Sequence, residues 1–182
     1  MKISAVVVSL MDHPLGEVVD SIAPHVDELI VVRGLNGVWQ RWEAVSRAEG
    51  DVIYTQDDDA VVDVAAVLRE YCPDRVTCNM PADHRRDYPD GLALVGWGCV
   101  FSRRKKNNFY PYLFSFGVWP LDEVFRRECD RVFTGLSPLK LIDVPVRHLA
   151  HAHGADRMGR EARHGEDLKE IRRRIYAIRA AK

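Results

Sequence analysis

Short apolar runs alternate with amphipathic stretches in the first eighty residues, and this rhythm constrains the fold more than any other feature of the sequence. Buried strands are predicted at residues 3–10, 28–33, 52–55 and 75–79. Helices are predicted from Pro14 and over residues 37–49 and 63–71. Strands and helices in this order form βαβ units with right-handed crossovers. The sequence therefore predicts an α/β fold with a mostly parallel, mixed central sheet.

The third predicted strand leads directly into three consecutive carboxylates, Asp57, Asp58 and Asp59. Unpaired carboxylates are costly to bury, so these acids must emerge where the strand meets solvent. They repel one another unless a cation or ligand donors lie among them, and a hard divalent cation is the natural partner. The alternative interpretation of these three residues is a solvated acidic turn without a ligand. Ligands of such sheets bind beyond the carboxyl ends of the strands, which favours the functional interpretation.

Composition bounds the remaining possibilities. The chain has 182 residues, which fits a single domain over residues 1–182, and its net charge of −1 predicts no general attraction to nucleic acid. Its four cysteines are scattered without a CxxC pair, which indicates reduced thiols and a cytoplasmic protein. No apolar stretch reaches the ~20 residues of a membrane span.

The stretch from Ile3 to Asp59 resembles the nucleotide-binding half of GT-A glycosyltransferases, family 2-like and exostosin-like. The specific match is the Asp-rich metal motif of these enzymes, here in the form Asp57-Asp58-Asp59. The resemblance implies a Rossmann-like α/β/α sandwich with a nucleotide-binding half over about residues 1–80 and an acceptor-side half over about 81–160. It also implies Mn²⁺ or Mg²⁺, with Asp57 and Asp58 approaching the ribose and Asp57 and Asp59 available to the metal.

Candidate nucleotide-binding groups follow the second strand at Arg33, Asn36 and Arg41. Either arginine can stack on a base or pair with phosphate through its planar guanidinium. A solvent-facing position on the helix explains Arg41 equally well, and Trp39 and Trp42 are expected to pack in the core.

A second candidate donor-binding stretch is Gly96-Trp97-Gly98, whose small residues permit close approach of a ligand or another backbone. GT-A enzymes often carry a small-residue strand here, facing the donor sugar and acceptor. A β-bulge with no ligand is the alternative.

Three acids compete for the role of general base toward the acceptor, which GT-A enzymes commonly place on a helix. Asp130 is favoured over Glu128, although Cys129 interrupts the pair that resembles the family motif. On one continuous helix Glu128 and Asp130 lie on different faces, so both cannot reach the substrate. Asp122 is the third candidate, and a helix N-cap explains it as well.

Three histidines cluster after the last predicted strand, residues 139–146, at His148, His151 and His153. By resemblance to GT-A enzymes, one of them completes the metal shell, with His153 preferred and His151 second. Arg157 is expected to contact the diphosphate on the same ground. The basic amphipathic helix predicted over residues 161–181 is expected to dock on its own domain, and it offers a surface for an oligomer.

These features together predict a metal-dependent glycosyltransferase that uses a UDP- or GDP-sugar and a glycan, protein or small-molecule acceptor. A nucleotidyltransferase on a related fold is one alternative, although residues 9–16 lack the glycine-rich phosphate loop that it would need. A non-catalytic module that binds nucleotide or glycan is the other alternative.

Overall fold

The structure is a computed structural model of the whole chain. It describes residues 1–9, 15–33, 38–82, 85, 92–104, 122–149 and 157–180, and only the backbone of residues 157–164.

A six-stranded sheet with strand order β2-β1-β3-β6-β5-β7 forms the centre of the fold. Its strands, in chain order, are β1 (Ile3–Ser9), β2 (Glu28–Arg33), β3 (Val52–Asp57), β5 (Val76–Asn79), β6 (Trp97–Ser102) and β7 (Leu139–Ile142). Strand β6 pairs antiparallel with both β3 and β5, whereas the β1–β2, β1–β3 and β5–β7 pairings are parallel. The predicted α/β fold with a mostly parallel, mixed sheet is therefore confirmed.

Two further strands, β4 (Ala60–Val62) and β8 (Val146–His148), form a separate antiparallel ribbon. The sequence predicts one strand over residues 139–146, but the structure has two, β7 and β8, with residues 143–145 between them. Pro145 cannot donate a backbone hydrogen bond to a neighbouring strand. In addition, Val144 donates its backbone N–H to the Asn79 side chain at 2.8 Å instead of to a strand.

Helices cover both faces of the sheet. They are α1 (Gly16–Ile22), followed by a 3₁₀ turn over Ala23–His25, then α2 (Trp39–Arg47), α3 (Val64–Arg69), α4 (Glu123–Gly135) and α5 (Arg157–Ala180). One apolar cluster joins α2, α4 and α5 to one face of the sheet, and it contains Trp39 and Trp42 as predicted. A second cluster joins α1, α3 and the ribbon strand β4 to the other face. This is the α/β/α layering expected from the sequence.

The C-terminal helix α5 docks on its own chain, as predicted from its apolar stripe. Ile171, Ile175 and Ile178 are buried. Arg179 donates hydrogen bonds to the carbonyl oxygen of Gly135, at the end of α4, at 2.6 and 3.0 Å. The absence of a side chain at Gly135 also lets α5 approach α4 closely, because a Cβ there would lie 2.6 Å from Cδ1 of Ile175.

Candidate functional site

The acid triplet lies where β3 ends at the rim of the sheet. Asp57 is the last residue of β3, Asp58 and Asp59 form the turn, and β4 begins at Ala60. Strand β1 pairs beside it with Val8 opposite Asp57, so the carboxyl ends of these parallel strands meet at one edge. The backbone N–H of Asp57 donates to the carbonyl oxygen of Gly96 at 2.7 Å. The turn is therefore tied to the segment that leads into β6.

Arg41 of α2 forms ion pairs with two carboxylates, Asp57 on β3 and Asp130 on α4. Its side chain is completely buried, which differs from both sequence expectations, a nucleotide contact and a solvent-facing helix position. The sequence does contain a pattern that predicts burial of Arg41. Arg41 lies one helical turn before the buried Val45, so both residues lie on the inward face of α2. Burial alone would lower the pKa of Arg41, but the charges of Asp130 and Asp57 raise it.

Asp57 keeps contact with solvent although Arg41 binds it, since 34% of its side chain is exposed. Burial of the carboxylate raises the pKa of Asp57 to about 6, Arg41 opposes this shift, and the neighbouring acids add to it. A Cβ at Gly96 would lie 1.8 Å from Oδ2 of Asp57, so the carboxylate occupies the space that a side chain would fill. Gly96 is thus required by the position of Asp57.

Asp58 has the most informative side chain of the three acids. The residue is only 6% exposed, and its Oδ2 atom has no hydrogen-bond partner within the part of the chain that the structure describes. A buried carboxylate oxygen without a donor is unfavourable. This atom is therefore an available ligand for a cation or for a donor group on a bound molecule.

The β4–β8 ribbon brings the histidine-bearing segment to the acid triplet. His148 pairs with Ala60, the residue after the triplet, and Leu149 donates its backbone N–H to the carbonyl oxygen of Asp59 at 2.8 Å. His148 is exposed, and its ring lies edge-to-face with Trp97 at a centroid distance of 4.9 Å. The predicted ligands His151 and His153 lie outside the described residues.

A buried hydrogen-bond chain supports the triplet from the opposite face of β3. Tyr54 donates its hydroxyl to Oε1 of Gln56 at 2.5 Å, and Nε2 of Gln56 donates to the carbonyl oxygen of Ala60 at 2.6 Å. Sequence analysis missed both residues, although their spacing of two on a strand places them on one face. The pair fixes the point at which the chain leaves the acid turn.

Gly98 forms a bulge beside this hydrogen-bond chain, as the alternative to a ligand contact predicts. The register of β3 against β6 shifts between Thr55 and Gln56, and Gly98 has a φ of 93°. Glycine adopts this conformation at little cost.

The three candidate acceptor-side acids lie in different environments. Asp130 accepts a hydrogen bond from Nε1 of Trp42 at 2.8 Å on one oxygen and pairs with Arg41 through the other. Burial raises the pKa of Asp130, against the opposing effects of Arg41 and Trp42. With both oxygens engaged, Asp130 does not have the geometry expected of a general base.

The other two acids have structural partners as well. Glu128 is buried and forms an ion pair with Arg131 on the same helix. Asp122 caps α4 by accepting from the backbone N–H of Phe125 at 2.8 Å, and it pairs with Arg174 of α5 at 2.8 Å. The N-cap explanation of Asp122 is therefore confirmed.

Of the remaining predicted nucleotide-binding residues, the structure describes the side chain of Arg33 alone. Arg33 is exposed at the end of β2, on the rim that carries the triplet. Asn36 lies outside the described residues, and for Arg157 only the backbone at the start of α5 is described.

The donor set fits a hard divalent cation that completes its shell with ligand oxygens. Within the described ranges, no three histidine, cysteine or acidic side chains already converge on one point. Asp58 nevertheless offers a buried oxygen that no described residue binds, and Asp59 lies next to it on the turn. Mg²⁺ in particular is often held by one or two carboxylates together with phosphate oxygens. Asp57 fits this role less well, because Arg41 already binds its Oδ1.

No helix within the described ranges combines the length and apolar character that a membrane span requires.

The fold is an α/β fold of the GT-A type, and solved structures share it. Glucosyl-3-phosphoglycerate synthase from Mycobacterium tuberculosis, in complex with Mn²⁺, UDP-glucose and phosphoglyceric acid, superposes with a TM-score of 0.56 at 14% identity. The match covers 96% of this chain and 79% of that chain. The same enzyme with Mg²⁺ and UDP gives a TM-score of 0.54 at 15% identity, covering 89% and 75%.

A different synthase has the same general fold. The 4-diphosphocytidyl-2C-methyl-D-erythritol synthase of Anaerococcus prevotii DSM 20548 superposes with a TM-score of 0.50 at 14% identity, covering 88% of this chain and 95% of that chain. No family model and no curated protein sequence matches the chain. At these identities the likeness defines the fold alone.

Proposed function

We propose that this protein is a metal-dependent glycosyltransferase that moves a sugar from a nucleoside-diphosphate sugar to an acceptor. The observation that carries the proposal is the buried Oδ2 of Asp58, which has no hydrogen-bond partner among the described residues, in an acid turn at the carboxyl end of the central strand β3. Solved structures with this fold contain UDP or UDP-glucose together with Mn²⁺ or Mg²⁺, which supports the choice of ligand class.

Asp58 and Asp59 would hold the divalent cation, with an imidazole from the segment that follows β8. His148 pairs next to the triplet, and His151 and His153 follow Leu149 by two and four residues in the sequence. When bound, such a cation neutralises the charge that develops on a leaving nucleoside diphosphate. Exposed Arg33 on the same rim is available to the phosphates or the base.

Asp57 would act as a fixed hydrogen-bond acceptor for the nucleotide. Arg41 holds one of its oxygens, and the side chain still reaches solvent. A carboxylate held in one orientation recognises a hydroxyl or N–H group with less loss of conformational entropy on binding. Because Asp130 is engaged on both oxygens, we do not assign it the deprotonation of the acceptor.

Thermal-shift measurements with UDP, GDP and UDP-glucose, each with and without Mn²⁺, test this function. We expect stabilisation that requires both metal and nucleotide, of about 2.7 kcal/mol at a ligand concentration of 100 times Kd. Asp59→Ala is expected to abolish it. Asp74→Ala is the matched control, because Asp74 is an exposed acid just before β5, at the opposite edge of the sheet. A shift that survives in Asp59→Ala, or that needs no metal, would contradict the proposal.

Nucleotidyl transfer is the second candidate, favoured by the 95% coverage of the Anaerococcus prevotii enzyme. The products distinguish the two reactions, since glycosyl transfer or donor hydrolysis releases a nucleoside diphosphate from a nucleotide-sugar. Nucleotidyl transfer instead releases pyrophosphate from a nucleoside triphosphate. Binding without either product would indicate a non-catalytic module.

A further inference from the structure

We infer that Arg41 is a positioning residue. It binds both Asp57 and Asp130, and so holds the carboxylate of Asp57, on the donor side, in a fixed position relative to helix α4. The inference rests on the proposed function, since it says which residue orients the Asp57 carboxylate that would bind the nucleotide. Arg41 lies 16 residues before Asp57 and 89 residues before Asp130, so its two ion pairs join α2, β3 and α4.

The Asp130 end of this bridge is rigid. One of its oxygens accepts from the indole of Trp42 at 2.8 Å, and Trp42 is completely buried against Phe101 and Phe133. Trp42 is also the neighbour of Arg41 on α2, so a single helix supplies both donors to Asp130. A carboxylate held at both oxygens fixes the plane of the guanidinium that pairs with it.

The Asp57 end is the adjustable one, and Arg41 is what holds it in place. Asp57 lies at the rim with a third of its side chain exposed, and the space beside its Oδ2 is open only because residue 96 is glycine. Without Arg41 the exposed carboxylate could adopt other rotamers toward solvent. Asp57 is followed immediately by Asp58 and Asp59, so its orientation also affects where their side chains lie.

Stability alone is a poor explanation of this arrangement. Burying a guanidinium and two carboxylates carries a large desolvation cost, and apolar replacements of buried ion pairs are often neutral or stabilising. Arg41 carries one positive charge and binds two carboxylates, Asp57 and Asp130, so the bridge does not neutralise them. Orientation of Asp57 accounts for a bridge that ends at the rim of the sheet.

The test compares Arg41→Lys and Asp130→Asn with Arg127→Met. Lysine keeps the positive charge but lacks the planar fork that binds two carboxylates at once. Asparagine at position 130 can still accept from Trp42, so this variant is expected to fold even if Arg41→Lys does not. Arg127→Met is the control, because Arg127 is also on α4 and pairs at 2.7 Å with Asp167 of α5 instead of with the acid turn.

We expect both bridge variants to weaken Mn²⁺-dependent UDP binding about 10- to 100-fold in calorimetry, because Asp57 would contact the nucleotide beside the metal and outer-shell groups of metal sites have effects of this size. The control is expected to lower Tm without changing this affinity. Bridge variants that lose Tm but retain wild-type affinity would overturn the inference. Crystal structures of the unliganded variants give a ligand-independent readout, since an unmoved Asp57 carboxylate would also overturn it. If the wild-type protein fails to bind UDP with Mn²⁺, the proposed function fails, and the position of Asp57 in those crystals still decides the inference.

Discussion

Leu149 donates its backbone N–H to the carbonyl oxygen of Asp59 at 2.8 Å, across 90 residues of sequence. This bond continues the pairing of β4 with β8 and joins the end of the acid triplet to the start of the histidine-bearing segment. The acid triplet and His148, which are distant in sequence, therefore lie at the same edge of the sheet.

Replacing Asp58 by asparagine is expected to change stability and binding in opposite directions. The substitution removes a charge whose Oδ2 is buried without a partner among the described residues, so the unliganded protein should gain about 1 kcal/mol. The same change removes a cation ligand, so Mn²⁺-dependent UDP binding should be lost. Urea denaturation and calorimetry measure the two effects. A variant that binds Mn²⁺ and UDP normally would exclude Asp58 as a ligand.

Gly96→Ala is expected to impair nucleotide binding by displacing Asp57. The added Cβ would lie 1.8 Å from Oδ2 of Asp57, and Arg41 holds the other oxygen, so the carboxylate cannot move freely. We expect a loss of about 1–3 kcal/mol in stability from overpacking together with weaker UDP binding. Gly16→Ala is the control, because a Cβ at Gly16 would meet nothing within 4 Å. Equal behaviour of the two variants would show that Gly96 does not constrain Asp57.

Tyr54→Phe tests the support on the other face of β3. The variant keeps the buried ring but removes the hydroxyl that donates to Gln56 at 2.5 Å. Gln56 then holds the carbonyl oxygen of Ala60 less firmly, so stability should fall by about 1 kcal/mol or somewhat more. We also expect weaker Mn²⁺-dependent binding, measured by calorimetry. Tyr176→Phe, at an exposed position of α5, serves as the control. If Tyr54→Phe binds UDP and Mn²⁺ with unchanged affinity, the hydrogen bond between Tyr54 and Gln56 contributes to stability alone.

Acid should weaken the ion pairs of Glu170 within α5 and the contact of Arg174 with Asp122 at the start of α4. Hydrogen bonds from Arg173 and Arg174 lower the pKa of Glu170 to about 2, from an ordinary value of 4.5. Burial opposes a low pKa at Asp122, but the hydrogen bonds from Arg174 and from the backbone of Phe125 lower it. Since both pKa values are depressed in the fold, their contribution is present above about pH 4.5 and is lost as the pH falls toward 2.

The measurement for this prediction is the pH dependence of Tm between pH 7 and about pH 2.5, compared between wild type and Glu170→Gln. The variant should lose less stability than wild type over the acid part of this range. Glu43→Gln removes an exposed acid from α2 and serves as the control. Parallel pH profiles for wild type and Glu170→Gln would contradict the prediction.

The sequence predicts the part of the site that depends on local pattern. The β-branched run of β3 places Asp57, Asp58 and Asp59 at a strand end, which the structure confirms. The expected exposure to solvent is wrong for Asp58, which is only 6% exposed. The N-cap at Asp122 and the glycine bulge at Gly98 are likewise local features with recognisable residue types.

Other features depend on distant contacts, which no local pattern specifies. The Arg41 bridge requires α2 and α4 to pack on the same face of the sheet, and Asp130 is 89 residues away. The β4–β8 ribbon pairs segments of only three residues each, too short for a periodic signal. The sequence pattern does not distinguish Gln56 from any other polar strand residue. Its hydrogen bond to the carbonyl oxygen of Ala60 depends on the turn between β3 and β4.

The reversed direction of β6 has a consequence for how this architecture can vary. Because β6 runs opposite to the strands on either side of it, its first residue, Trp97, lies beside the carboxyl end of β3. The polypeptide therefore enters this strand from the edge that carries the acid triplet. Insertions or deletions before Trp97 would alter that edge while leaving the strand register intact, so its surface can vary among related chains without rebuilding the sheet.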